Sequence, residues 1–296
     1  MRAEKSTFWH IGVIGGSGLA AGLALEDAQE IEVASPFGAP SGPVTTGRIG
    51  DVRLTFLARH GKGHAIPPSE VNYRANIDVL KRCGVTDVIS LSAIGSLCEE
   101  MAPGHMVLVD QFIDRTTRRE NSFFGAGLVA HVSLADPTCE RLRAMLGEAA
   151  SLAGGHVHGS GTYVCIEGPQ FSTRAESWMY QGWGAQVIGM TAMPEARLAR
   201  EAELPYAMLG MVTDYDCWRE DEAGVEVSHV LKVMQRNADV ARWSVRELAR
   251  HLPARREPVP IDTALEHALM TAHEQRDTRR VRMLDAVACR LFGERD

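Results

Sequence analysis

The segment Tyr206–Thr213 (YAMLGMVT) carries no alternation of apolar and polar side chains. A strand of that kind has to be covered on both faces, the position of an inner strand in a parallel sheet sandwiched between helices. Its neighbours in sequence supply the cover. A helix is predicted over Val227–Leu248, where Val227, Val230, Leu231, Met234, Ala238, Ala241, Val245 and Leu248 recur at i, i+3/i+4 spacing. Helical patterns are also expected over Ser69–Cys83 (Tyr73, Ile77 and Leu80 on one face), Pro137–Leu152, Thr173–Trp183 and Glu195–Ala202. Strand-length apolar runs alternate with them at Ile11–Ile14, Val85–Leu91, His105–Asp110, Val157–Ile166 and Val187–Met190. Val44–Ile49 and Val52–Ala58 flank Gly50-Asp51 and read as a hairpin. The expectation is an α/β fold: a single layered domain with a mixed, largely parallel central sheet flanked by helices. Residues 1–252 are assigned to this domain and 253–296 to a C-terminal helical extension of it, beginning where the sequence turns more charged (PARREPVPIDTA).

With 296 residues, 45% of them hydrophobic and 23% charged, the chain can bury a large core, and disorder is excluded as its dominant state. A net charge of −7 argues against wide binding to a nucleic-acid backbone but leaves room for a local cationic pocket. The opening MRAEKSTFWH leads into no apolar core with a small-residue cleavage site, and no apolar run is long enough to span a bilayer. Cys83, Cys98, Cys139, Cys165, Cys217 and Cys289 are widely spaced with no C-x-x-C pair. They read as reduced, mostly buried thiols of a cytoplasmic protein, without structural zinc.

Five segments carry candidate chemistry. Gly15–Leu19 (GGSGL) follows a buried strand, where glycines let backbone N–H groups approach an anion and Ser17 adds a hydroxyl donor; a plain tight turn is the alternative. Gly16, Gly18 and Ala21, with Glu30 or Glu32 downstream, also fit a dinucleotide fingerprint. Arg59-His60-Gly61-Lys62-Gly63-His64 ends a strand with donors suited to one phosphate, or is a solvated basic loop. Leu91–Leu97 (LSAIGSL) puts small residues at the carboxyl end of a strand, where α/β sheets bind ligands. Ile166–Glu176 (IEGPQFSTRAE) passes from strand to helix, with Thr173 and Glu176 forming a capping box and Phe171 placed to stack on a flat ring or to fill the core. Thr213–Trp218 (TDYDCW) sets Asp214 and Asp216 on one side of the chain if extension continues. That pair suits a divalent metal, divided acid and base roles, or surface charge.

Taken together, IGVIGGSGL, SPFGAPSGP, ARHGKGHAIPPSEVNYRANI, SAIGSL, VDQFIDRTTRR, CIEGPQFSTRAES, IGMTAMPEARLAREAELPYA and TDYDCW resemble, in order and spacing, the trimeric purine nucleoside phosphorylase family. The resemblance runs from about Ile11 to Leu248. It implies phosphorolysis of 5'-methylthioadenosine in the cytoplasm by a homotrimer, with phosphate as co-substrate and no metal or organic cofactor. Phosphate would be held by Ser17, Arg59, His60, Ser92, the Ala93 backbone and Thr191. Met190 would lie against the ribose and Phe171 near the base, with Asp214 and Asp216 at the purine edge. Ser172, Val227, Val230 and Leu231 would set specificity, joined by His131 from a neighbouring subunit near the 5' group. Gly189, Ile94 and His105 depart from the residues expected at their positions, which are Asn, Cys and Asp.

The chemistry fits this assignment. A protonated Asp214 near N7 would neutralise the departing purine, given a pKa raised by burial and a second carboxylate. Asp216 would accept from a 6-amino group and disfavour a 6-oxo purine. Related activities on adenosine, inosine or methylthioinosine stay open. So do a nicotinamide-dependent oxidoreductase using the glycine fingerprint and a nucleoside sensor without turnover.

Overall fold

The computed structural model describes residues 7–16, 22–219 and 227–292, with residues 227–232 described by backbone alone. One mixed sheet runs β2 (Glu26–Ile31), β3 (Val44–Ile49), β4 (Val52–Ala58), β1 (His10–Gly15), β5 (Asp87–Ser96), β10 (Val187–Gly189), β9 (Thr162–Cys165), β7 (Gln111–Asp114). Off this path, β11 (Tyr206–Asp214) pairs with β5 and with β6 (Met106–Val109), and β6 pairs with β8 (Val157–His158). Pairing is parallel for β1 with β4 and β5, β11 with β5, β9 with β10 and β7, and β6 with β8. The hairpin β3–β4 is antiparallel and falls on the expected residues.

β11 is buried from Tyr206 through Thr213, as its unbroken apolar run requires. Ala207, Leu209 and Met211 face one core with Leu142 and Leu146 of α2 (Glu140–Leu152) and Ala241 and Val245 of α5 (Val227–His251). Tyr206, Met208 and Val212 face the other core with Ile77 and Leu80 of α1 (Tyr73–Arg82) and Ala196 and Ala199 of α4 (Ala192–Glu201). Each buried Leu or Ile contributes roughly 1.5–3 kcal/mol, and the two-sided burial fixes which strand lies innermost.

Some boundaries moved. α1 begins at Tyr73, not Ser69, because Asn72 caps it by accepting from the Ala75 N–H, and Pro68–Glu70 is a separate 3-10 turn. The strand expected over Val157–Ile166 breaks at Gly159-Ser160-Gly161 into β8 and β9, which join different neighbours. β2 and β7 carried no apolar pattern and were not foreseen; β2 is a largely exposed edge strand. The cysteines are less buried than expected: Cys139 and Cys165 are buried, Cys83, Cys98 and Cys217 half-buried, and Cys289 exposed.

Beyond α5 the chain continues as short helices, α6 (Thr278–Met283) and α7 (Cys289–Phe292). Leu265, Ala268, Leu284, Val287 and Ala288 enter the core built on α1 and α4. Arg256 reaches back to the fully buried Asp87 at the start of β5, which also holds Arg141 at 2.6 Å. Main-chain bonds from His131 N to Ala268 O and from Met270 N to Val129 O join this segment to the loop carrying His131.

Candidate active site

The sheet branches at β5. One edge of β5 pairs with β11 from Val88 to Gly95. The other edge pairs with β1 only as far as Ser90 and is taken up by β10 only from Gly95. Between those points no described strand covers Ser92–Ile94, and chain reversals of this kind are where open α/β sheets bind ligands. The side chains converging on this gap are Arg59 and His60 after β4, Met190 and Thr191 after β10, and Ser92 and Ala93 within β5, which runs on to Ser96 past its expected end at Leu91 because β11 pairs with it there. Gly15 at the end of β1 accepts the Arg59 N–H at 3.0 Å. Ser17 lies outside the described residues.

Arg59 is 2% exposed. Its Nε and Nη2 meet Glu195 at 2.8 and 3.1 Å, Nη2 also donates to Ser90 Oγ at 2.7 Å, and Nη1 donates to the Leu91 carbonyl at 3.3 Å. Burial opposes the guanidinium charge, and the Glu195 carboxylate more than offsets it, so the pKa is raised. Of five N–H donors, one on Nη1 is left beyond these bonds. His60 is buried and pushed down to about 4 by desolvation and by Arg59. Its Nδ1 sits 2.8 Å from the Ile66 carbonyl, so the neutral ring donates there and turns Nε2 outward. Ser92 Oγ and Thr191 Oγ1 are 3.0 Å apart.

The second half of the site lies further along β5. Asp214, the last residue of β11, is paired with Gly95. Extension stops there: Asp216 has φ +52°, a left-handed turn rather than a continued strand. The carboxylates are brought together all the same. The Asp216 N–H donates to Asp214 Oδ1 at 2.9 Å, and a Cβ built on Gly95 would lie 3.0 Å from Asp214 Oδ1 and 3.6 Å from Asp216 Cβ. Thr213 Oγ1 donates to Asp214 Oδ2 at 2.6 Å. Asp216 is 8% exposed, and its pKa is raised by desolvation and by the Asp214 charge, against a lowering hydrogen bond from the buried Ser177 hydroxyl.

The loop from Ile166 to Thr173 forms the remaining wall. Thr173 and Glu176 make the expected capping box at the start of α3 (Arg174–Gly182). The Ser172 hydroxyl is buried and meets no partner among the described residues. Such an orphan costs roughly 1–3 kcal/mol until something bonds it, which marks a place for a ligand atom. Phe171 is 47% exposed, so it is free of the core. Gly168 adopts φ +69°, and a Cβ there would come within 2.5 Å of Met190 Sδ, so only glycine lets Met190 lie where it does.

His131 is not brought to this site within one chain: it is exposed, on the loop tied to Ala268. Val227, Val230 and Leu231 lie in the first turns of α5, and their side chains fall outside the described residues.

Three residues central to the geometry were not singled out by sequence. Glu195 is the counterion of Arg59, signalled only by a carboxylate on an otherwise apolar helical face. Ser177 fixes Asp216. Arg119, its side chain 1% exposed, bonds Glu167 and the carbonyls of Met190, Met193 and Glu167, so it ties together the loops around Met190. Nothing in RTTRR distinguishes it from Arg115 and Arg118. Two departures from the expected pattern are explained. Gly189 leaves room for the Tyr163 hydroxyl, 2.2 Å from where a Cβ would stand, and Ile94 packs over Gly210, its Cδ1 2.3 Å from that residue's absent Cβ.

The dinucleotide fingerprint has no geometric support. β2, which carries Glu30, runs antiparallel to β3 at the sheet edge, whereas β1 is flanked by β4 and β5. Glu30 therefore does not stand at the end of a parallel strand beside the glycine turn.

Comparison with known proteins agrees. A model of the phosphorylase superfamily matches residues 10–250. S-methyl-5'-thioadenosine phosphorylase of Bradyrhizobium diazoefficiens is 56% identical over 284 residues, 95% of this chain and 98% of that protein. The crystal structure of a methylthioadenosine phosphorylase from an Antarctic soil metagenomic library superposes with a TM-score of 0.87 at 44% identity, covering 95% of this chain and 99% of that one. Methylthioadenosine phosphorylase from Schistosoma mansoni in complex with adenine gives 0.78 at 40% identity over 82% and 91% of the two chains. The chain belongs to the phosphorylase superfamily and, within it, to the S-methyl-5'-thioadenosine phosphorylase family.

Proposed function

We infer that this chain catalyses phosphorolysis of 5'-methylthioadenosine, giving adenine and 5-methylthioribose 1-phosphate. One observation carries the reading. Ser92 and Gly95 stand three residues apart on β5, roughly 10 Å at strand rise, with an anion-suited cluster at the first and a carboxyl pair, half-buried Asp214 and buried Asp216, over the second. That separation suits phosphate and purine lying on opposite faces of C1' of one ribose.

Phosphate binds Arg59, His60, Ser17, Ser92, Thr191 and the Ala93 backbone. A phosphate oxygen attacks C1' as the C1'–N9 bond breaks, and its charge stabilises the oxocarbenium-like sugar. The bonding pair moves into the purine, and a proton reaches N7 from Asp214. Beside it, burial and the Asp214 charge push the Asp216 carboxyl up, which helps the two carboxyls hold one proton between them. Asp216 accepts from the 6-amino group, and the orphan Ser172 hydroxyl gains a partner on the base. Met190 packs on the ribose and Phe171 on the base. The 5' pocket is made apolar by Val227, Val230 and Leu231, with His131 supplied by a neighbouring copy of a homotrimer.

Phosphate is both nucleophile and countercharge, so the reaction as written calls on no metal or organic cofactor. No described helix is long and apolar enough to cross a membrane, which fits a cytoplasmic enzyme acting on small molecules rather than on nucleic acid. Residues 1–252 form the catalytic domain and 253–296 an extension of it. The shared core at Leu265, Leu284 and Val287 supports counting the extension with the same domain.

The test is a panel of methylthioadenosine, adenosine, inosine and methylthioinosine, each with and without phosphate. Phosphate-dependent release of adenine from methylthioadenosine at the highest kcat/KM is expected. Preference for the 6-oxo nucleosides, or release without phosphate, would overturn the reading.

A further inference from the structure

At the far end of the short β6–β8 ladder three histidines meet. His105 immediately precedes β6, His158 is the last residue of β8, and His156 precedes Val157. The parallel register Met106↔Val157 and Val107↔His158, with the Met106 N–H bonded to the His156 carbonyl at 2.8 Å, sets His105 beside both. Residues 156 and 158, two apart, share a face of the strand. The His105 and His156 rings stack at 4.0 Å between centroids, and His158 lies 5.1 Å from the first and 5.2 Å from the second. His105 Nδ1 is 2.9 Å from His158 Nε2.

One ring nitrogen of each lies within 4.8 Å of the other two. A tetrahedral ion with metal–nitrogen bonds of about 2.0–2.1 Å sets its ligand nitrogens about 3.3 Å apart, inside the span these rings cover. We propose that His105, His156 and His158 form a binding site for a borderline transition-metal dication of the Zn2+ class, with its fourth position open to water.

The backbone framework supports a ligand set over a chance cluster. His105 is anchored on its backbone, its carbonyl accepting from Val212 N at 2.9 Å, and an ion on its Nδ1 would displace the Ala102 N–H that donates there at 3.2 Å. Glu100 lies near both His105 and His158, where an outer partner can orient metal-bound imidazoles. The dispersed cysteines gave no hint of such a site, because the three imidazoles converge only through the β6–β8 pairing. An ion there would clasp edge strand β8 to β6 and, through the His105–Val212 backbone pair, to the strand that ends in Asp214. The site takes no part in the phosphorolysis proposed above, and its test does not depend on it.

The probe is Co2+, titrated into tag-free, chelator-treated full-length protein carrying Cys289→Ser, which removes the exposed thiol as a competing ligand. The expected result is visible d–d absorption of a tetrahedral ion saturating at one equivalent per chain, displaced by Zn2+, with a rise in Tm. His156→Ala, an exposed position where folding is not at issue, should weaken binding at least tenfold, and His158→Ala likewise. No saturable spectrum, or the same affinity and spectrum in both variants, would overturn the proposal.

Discussion

The backbone N–H of Asp216 donates to Oδ1 of Asp214 at 2.9 Å, so a left-handed turn at residue 216 does what an extended strand was expected to do. It folds the second carboxylate back toward the first. The proton balance of the site rests on this contact, and the first prediction follows from it. Asp214→Ala should lower kcat with methylthioadenosine by about 10²-fold or more, the usual scale for loss of a general acid. Asp216→Asn should narrow the preference for 6-amino over 6-oxo nucleosides, read as the ratio of kcat/KM for methylthioadenosine and methylthioinosine. Near-normal turnover by Asp214→Ala removes the proposed acid.

Ser177 touches Asp216, not the substrate edge, and acts as a positioning residue. Its hydroxyl favours the ionised carboxyl, so Ser177→Ala should raise the Asp216 pKa further. The acid limb of the kcat/KM profile should then move to higher pH, with plateau kcat changed less. An unshifted limb would reduce Ser177 to packing.

Glu195 and Arg59 are each 2% exposed and pair at 2.8 Å. Glu195→Ala leaves a guanidinium buried without its counterion, a change that costs about 3–5 kcal/mol. Urea denaturation should show that loss, and the KM for phosphate should rise in whatever protein folds. Glu195→Gln, which keeps a hydrogen-bond acceptor, should fall between the two.

Acid should destabilise the fold in a window set by two buried imidazoles. His10 is held down to about 4 by burial and Arg53, and His60 to about 4 by burial and Arg59. Between the ordinary histidine value near 6.5 and that folded value, the unfolded chain binds protons that the folded chain refuses. Their contribution is therefore complete above the upper value and disappears as pH falls through the window. Glu201, raised to about 6 chiefly by burial, opposes this in part. Stability of His10→Asn should vary less steeply with pH there than that of the parent, and equal slopes would refute the assignment.

Gly189→Ala should destabilise the protein by about 1–3 kcal/mol, as overpacking does. The new methyl would meet the Tyr163 hydroxyl, itself bonded by the Thr191 N–H at 3.3 Å. A shifted Tyr163 would move Thr191, so the KM for phosphate should rise along with the loss of Tm.

The fold was legible wherever burial imposed a pattern. β11, the β3–β4 hairpin and α3 with its capping box follow from the run of apolar residues, the Gly50-Asp51 turn and the Thr173–Glu176 spacing. β2 and β7 escaped because edge position removes the apolar signal. Within the site, Asp214, Asp216 and Arg59 stand out as polar residues at or just past strand ends, and Ser92 as a polar residue after an apolar run. Arg119, Glu195 and Ser177 do not, because their importance comes from partners 74, 136 and 39 residues away. Separations of that kind are set by the branching of the sheet at β5, which no local pattern records.

The bonds from Ala268 and Met270 to the loop at Val129–His131 reach beyond packing. A chain cut after residue 252 would retain every side chain assigned to catalysis, yet it would unfasten the strap beneath His131 and remove Arg256 from Asp87. The last stretch of sequence, the part with the least recognisable pattern, is in that sense the scaffold of the His131 loop, and a minimal enzyme cannot be trimmed to its motifs.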